Sequence, residues 1–143
     1  MQASLGVEDK RLEETVTLYR AVGPGQWRTI VESGRKRFPL RRGAQKYFYP
    51  MLSESFARKV ASDWNVRQSG IGYVVSFKVR KDFLTDYSVY SLGAPEYQEY
   101  RISARDLVKL NENLMGPIEL VGVYGGNEAG NASAPAANGE SVH

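Results

Sequence analysis

Two carboxylates and two tyrosines crowd the stretch Gly93-Ala94-Pro95-Glu96-Tyr97-Gln98-Glu99-Tyr100-Arg101-Ile102. Gly93 and Pro95 break regular structure, and Tyr100 to Ile102 reads as a strand, so Glu96, Tyr97, Glu99 and Tyr100 stand at a loop exit. Loops held on a rigid frame are where proteins display reactive groups. The rest of the composition narrows the chemistry. The chain has no cysteine, and its one histidine is His143, at the very end. Ser-His and Cys-His catalysis, thiolate sites and multi-histidine metal sites are therefore excluded, and no metal site is expected. Acid-base work falls to carboxylates, tyrosines or lysines. Glu99 is the candidate carboxylate, and Arg20 with the segment Tyr47 to Ser55 completes the candidate site.

These groups need elements to hold them. Thr17 to Val22 has the residue types of a strand, with Leu18, Arg20 and Val22 on one face and Tyr19 and Ala21 on the other. Arg20 thus shares a face with aliphatic residues, and a guanidinium buried there needs a partner. Pro24 suits a first helical turn and Gly34 the position past its end, so residues 24 to 33 read as a helix. Its apolar stripe is Trp27, Ile30 and Val31. Lys46 to Tyr49 reads as a short strand stopped by Pro50, with Tyr47 and Tyr49 facing one way and Phe48 the other. Ser53 or Ser55 suits the N-cap of a helix from Glu54 to about Trp64, whose stripe is Phe56, Val60 and Trp64. A turn is expected from Asn65 to Gly70.

The clearest strand follows, with Ile71, Tyr73, Val75, Phe77 and Val79 alternating with smaller or polar residues. Lys81 to Tyr87 reads as a helical turn and Ser88 to Tyr97 as a loop or weak edge strand. Ser103, with Asp106 three residues on, predicts a capped helix with a stripe of Leu107, Val108 and Leu110. Gly116-Pro117 turns the chain into a closing strand, Ile118 to Tyr124. Short strands and helices without regular alternation point to an α+β fold.

With 143 residues, 42% of them apolar, one domain is expected. Residues 1–14 read as a flexible N-terminal segment, 15–124 as the domain, and 125–143, built of Gly, Ala, Asn and Ser with almost nothing large, as a disordered tail. No apolar run is long enough to span a membrane, and Met1 to Glu14 lack the apolar centre of a signal peptide. The net charge is only +3. Its distribution is uneven: Arg35, Lys36, Arg37, Arg41, Arg42 and Lys46 share one short window. That window is either a basic surface for phosphate-bearing ligands or a solvated loop.

The order of these segments resembles the small ADP-ribosyltransferase domains found among bacterial toxins and effectors. The residues that carry the resemblance are Leu18-Tyr19-Arg20-Ala21-Val22, Lys46-Tyr47-Phe48 leading to Ser53-Glu54-Ser55, Val75 to Val79, and Glu99-Tyr100-Arg101-Ile102 with the helix after it. Together they cover residues 17 to 124. The branch it is most similar to uses an Arg on the first strand, a Ser at the start of a later segment and a Glu before a late strand. The resemblance implies a split β-sandwich with short flanking helices. It implies cleavage of the nicotinamide–ribose bond of NAD, the co-substrate, and transfer of ADP-ribose to a macromolecular acceptor, protein or nucleic acid.

Carried onto this sequence, the catalytic residues are Glu99, Arg20 and Ser53. The NAD-binding residues are Arg20, Tyr19, Tyr47, Phe48, Tyr49 and Ser55. Arginine-modifying members resemble Glu-x-Glu or Gln-x-Glu at the catalytic loop. Here Tyr97 holds the earlier position, which marks it as the acceptor-facing residue. The resemblance also implies a cytoplasmic site of action, reached by secretion or injection along a route the sequence does not show. An immunity or antitoxin protein is an implied partner, and a membrane is not. Two other readings stand beside this one. The basic window with Phe38, Tyr47 and Tyr49 suits a nucleic-acid-binding module, and a catalytically inactive member of the same fold would serve as an interaction surface.

Overall fold

The β-branched and aromatic run Ile71–Arg80 makes the longest strand and takes the centre of an antiparallel sheet. The computed structural model describes residues 14–40 and 45–126. In chain order these form β1 (Thr15–Val22), α1 (Pro24–Glu32), β2 (Tyr47–Phe48), α2 (Glu54–Val60), α3 (Val66–Ser69), β3 (Ile71–Arg80), α4 (Lys81–Leu84), β4 (Val89–Ser91), β5 (Gln98–Tyr100), β6 (Ile102–Ser103), α5 (Leu107–Glu112) and β7 (Glu119–Gly125). A π-helical turn, Ala61–Asn65, joins α2 to α3, and a 3-10 turn, Ala104–Asp106, precedes α5. Among the described residues helix and strand are nearly balanced, at 35% and 34%. The sheets are small, open and antiparallel, so the chain is α+β and not doubly wound.

β3 pairs with β1 on one side, from Thr15 opposite Arg80 to Val22 opposite Tyr73, and with β7 on the other. Both faces of this sheet are covered. On one, Leu18, Val22, Val75 and Phe77 meet Phe38, Phe48, Ile102, Leu107 and Leu110. On the other, Ala21 and Val74 meet Met51, Phe56, Ala57 and Ala61. The 36–40 segment is tied in by Asn111, which accepts from the Phe38 N–H and donates to its carbonyl, at 2.9 and 3.1 Å. Arg58 ties α2 to β7: it donates to the Val121 carbonyl and the Tyr124 hydroxyl, at 3.2 and 2.6 Å, and pairs with Glu54.

Several expectations are corrected. The helix after Ser53 does not end near Trp64; it runs on through α3 to Ser69, where Gly70 closes it at φ 81°. The π-helical turn adds a residue to the helical repeat. Trp64, expected on the apolar stripe, is rotated out and lies 42% exposed, while Asn65 takes the inward position at 1%. Val31 and Val108, also placed on apolar stripes, are 47% and 45% exposed. The strand expected at Tyr100–Ile102 is two short strands, β5 and β6, parted at Arg101. β2 stops at Phe48, so Tyr49 lies beyond it. Ser103 makes no side-chain cap bond. Asp106 accepts instead from the Tyr87 hydroxyl at 2.8 Å. β7 reaches Gly125, one residue past the expected domain end. The readings of residues 1–13 and 127–143 lie outside the described residues, as do Arg41 and Arg42 of the basic window.

The Tyr87–Asp106 bond yields a pH prediction. Burial and then the hydrogen bond to Asp106 push the Tyr87 phenol up to about 12 from an ordinary 10.0. A raised pKa means that the fold favours the protonated phenol. Its contribution is therefore complete below pH 10 and disappears as pH rises through about 12. Tyr87→Phe is expected to cost about 1 kcal/mol in denaturant unfolding at neutral pH. The gap to wild type then narrows between pH 10 and 12; a gap that widens there contradicts the assignment.

Candidate functional site

Pro50 decides the local geometry. Segments 46–52 and 98–104 run antiparallel in one register: Tyr47 lies opposite Ser103, Phe48 opposite Ile102, and Met51 opposite Glu99. The ladder is flanked by Ala104 N–H to Lys46 O at 2.8 Å, Tyr100 N–H to Pro50 O at 2.8 Å, and Leu52 N–H to Gln98 O at 3.0 Å. It is broken in the middle, where Pro50 has no N–H to give. Beyond that break the β2–β6 part forms a separate two-stranded sheet. The other part joins β1 through Met51, which exchanges both backbone hydrogen bonds with Tyr19, at 2.8 and 2.7 Å.

This junction puts three distant pieces of sequence side by side: β1, the 50–53 segment and β5. Two strand spacings, about 10 Å, separate the backbones of β1 and β5. Tyr19, Met51 and Glu99 stand in line across them, with Tyr90 of β4 directly beyond Glu99. By strand alternation Tyr49, Met51, Glu99 and Arg101 share one face of the ribbon, while Phe48 and Ile102 face the core.

Arg20 sits where the β2–β6 ribbon peels away from β1. It is fully buried, between Leu18 and Val22 on its strand. Its Nη1 donates to the Tyr49 carbonyl at 3.5 Å and its Nη2 to Gln26 Oε1 at 3.4 Å. Both are longer than the usual ~3 Å. The guanidinium carbon lies 4.6 Å from the centre of the Phe48 ring, a cation–π contact worth about 1–2 kcal/mol in a dry setting. Gln26 is in the first turn of α1, whose start has no acidic residue and no side-chain cap. A cavity of about 230 Å3 opens there, walled by Gly25, Gln26, Thr29, Pro39, Leu40, Gln45 and Phe48. The positive end of the helix and the nearby guanidinium make this corner suited to an anion.

Glu99 is inside β5, not in the loop before it, and is 2% exposed. Its Oε2 lies 3.8 Å from Arg101 Nε. Ser53 fixes the approach to it. The Ser53 hydroxyl donates to the Glu96 carbonyl at 3.1 Å and accepts from the Phe56 N–H at 3.1 Å. With its one proton committed, the 3.3 Å contact with Ser55 has Ser55 as donor. Ser53 is thus both the cap of α2 and the clasp that holds the 93–97 loop against it. Ser55 is exposed.

The aromatic candidates divide. Tyr47 is 45% exposed and its ring centre is 6.2 Å from that of half-buried Tyr49. Phe48, 1% exposed, is a core residue and supports Arg20 from behind, so it offers no open ring to a ligand. Tyr19 is half-buried against the second core cluster. Tyr97 is half-buried, with its ring 5.1 Å from Phe56. A second cavity, about 580 Å3, lies away from Glu99, between α1, residues 36–40 and α5.

No family model, no curated protein and no solved structure matches this chain. Sequence reasoning missed Met51, Gln26, Tyr90 and Arg101. Alternation from Glu99 was a usable signal for Arg101; nothing local marked Met51, whose role is set by strands that fold beside it.

Proposed function

We propose that this chain is an NAD-dependent ADP-ribosyltransferase of the toxin or effector type, acting on a macromolecular acceptor. One observation carries the reading: Arg20, Ser53 and Glu99 stand on three neighbouring lanes held together at Met51. They are far apart in sequence and belong to three different elements. The junction brings these three elements within two strand spacings, about 10 Å, of one another.

The reaction breaks the bond between ribose C1′ and the nicotinamide nitrogen. Nicotinamide leaves with the bonding electrons, and the ribose becomes oxocarbenium-like, as in glycoside cleavage. A nucleophile of the acceptor then bonds to C1′ and loses its proton. Glu99 accepts a ribose hydroxyl and stabilises the developing positive charge. Because Glu99 is buried, that carboxylate acts in a medium of low dielectric, where its field is stronger than in water. Arg20 is buried behind Phe48 and Gln26 and acts at a distance: its positive charge adds to that of the start of α1 and draws a phosphate to the cavity there. Tyr47 and Tyr49 offer the open aromatic surface for the nicotinamide or adenine ring. Ser53 keeps the loop before Glu99 in place, and Tyr97 at that loop's end faces the acceptor.

The test is incubation of the protein with labelled NAD, cell lysate and nucleic acid, followed by mass spectrometry of all macromolecules. Release of nicotinamide with an ADP-ribose adduct is expected. Intact NAD and no adduct sink the reading.

A further inference from the structure

We infer that Arg101 is a positioning residue for the Glu99 carboxylate and is itself held in place by Tyr90; this role rests on the transferase reading above. Arg101 lies two residues beyond Glu99, on the same face of the ribbon. Its Nε is 3.8 Å from Glu99 Oε2, close enough for an ion pair and too far for a hydrogen bond. The Arg101 Nε is buried and has no hydrogen-bond partner among the described residues. Buried donors are nearly always paired, so such a group marks a place where the structure is completed by something else.

The rest of the guanidinium is anchored. Its central carbon lies 3.9 Å from the centre of the Tyr90 ring. Tyr90 is the direct cross-strand partner of Glu99 in the β4–β5 pair. Tyr90, Arg101 and Glu99 therefore form a short stack on one sheet face. A planar guanidinium can lie on a ring and still aim Nε–H at a carboxylate in its own plane, which an ammonium cannot do. Closing the 3.8 Å gap ties Oε2 to Arg101 and fixes the carboxylate from that side. A carboxylate tied at one oxygen loses its freedom to rotate, and the other oxygen is presented in one orientation.

The experiment measures kcat and KM for NAD cleavage in wild type, Arg101→Ala, Arg101→Lys, Tyr90→Phe, Tyr90→Leu and the Arg101→Ala/Tyr90→Leu pair, with thermal melting of each. Arg101→Ala is expected to lose up to about 10²-fold in kcat with KM for NAD nearly unchanged. Free guanidinium salt at millimolar concentration recovers part of that loss. Arg101→Lys recovers little, because it keeps the charge and loses the plane. Tyr90→Phe keeps the ring beneath the guanidinium and loses less than Tyr90→Leu. Tyr90→Leu loses several-fold on its own and nothing further in the Arg101→Ala background, since both act on one carboxylate.

An Arg101→Ala enzyme with full kcat, a loss that lies wholly in KM, or two losses that multiply in the paired variant overturns this role alone. If Arg101→Ala does not melt as a folded protein, Tyr90→Leu decides, and unchanged kcat there overturns it. A folded wild type that cleaves no NAD overturns the transferase reading and this role with it.

Discussion

On the proposed transferase function, Glu99→Gln is expected to lower NAD cleavage by about 10²–10⁴-fold, with the fold left intact. Glutamine keeps the size of the side chain and removes its charge, so the loss reports electrostatics and not packing. The effect is expected in kcat, because a carboxylate that meets developing positive charge acts mainly in the transition state. Stability need not fall. Glu99 is 2% exposed, and removing a desolvated carboxylate also removes its desolvation cost. The loss of its interaction with Arg101 opposes that gain. Glu96→Gln is the control: Glu96 is exposed, and the bond that matters there is from Ser53 to the Glu96 backbone carbonyl. Steady-state rates and melting curves on both variants check this. A Glu99→Gln enzyme within threefold of wild type removes Glu99 from the chemistry, whereas equal losses in both variants assign the effect to the loop.

Gly72→Ala destabilises the fold by about 1–3 kcal/mol, more than any surface alanine would. Gly72 is buried in β3 beneath the π-helical turn. A Cβ there would stand 2.7 Å from the Ala61 carbonyl oxygen and 2.7 Å from Asn65 Cβ. Neither can swing aside, since one is helix backbone and the other is fixed to it. The helix must lift off the sheet, opening the second core cluster, which includes Met51. Because Met51 joins β1 to β5, loosening this cluster also spreads the Arg20 and Glu99 lanes. Urea unfolding of Gly72→Ala is therefore expected to show a lower midpoint, and NAD cleavage to fall along with it. Gly70→Ala separates the two reasons for a glycine. Gly70 has φ 81° and nothing within 4 Å of its virtual Cβ, so its cost is that of a left-handed backbone, about 1 kcal/mol. Equal, small costs at both positions would show that α2 and its π-helical turn do not press on β3 as described.

The sequence by itself determined the elements whose pattern is strong and local. Alternation marked β3, and the Pro24 to Gly34 punctuation marked α1, because both signals depend only on neighbours along the chain. It also placed Arg20 on the aliphatic face of β1, and bounded the chemistry through the lack of cysteine and a lone terminal histidine. Tertiary packing decided what depends on other segments. The Asn65 and Trp64 positions were swapped by a π-helical turn that fits above Gly72, a close approach no helical period reveals. Glu99 moved from a loop exit into a buried strand because Tyr90 and Met51 pair on either side of it. Phe48 became the bed of Arg20, not a ligand surface, because β1 packs against the side of β2 to which alternation turns that ring. The junction at Met51 is the clearest case. An unremarkable residue between a proline and a helix cap joins the three candidate site segments, and only the strands that fold beside it make it do so.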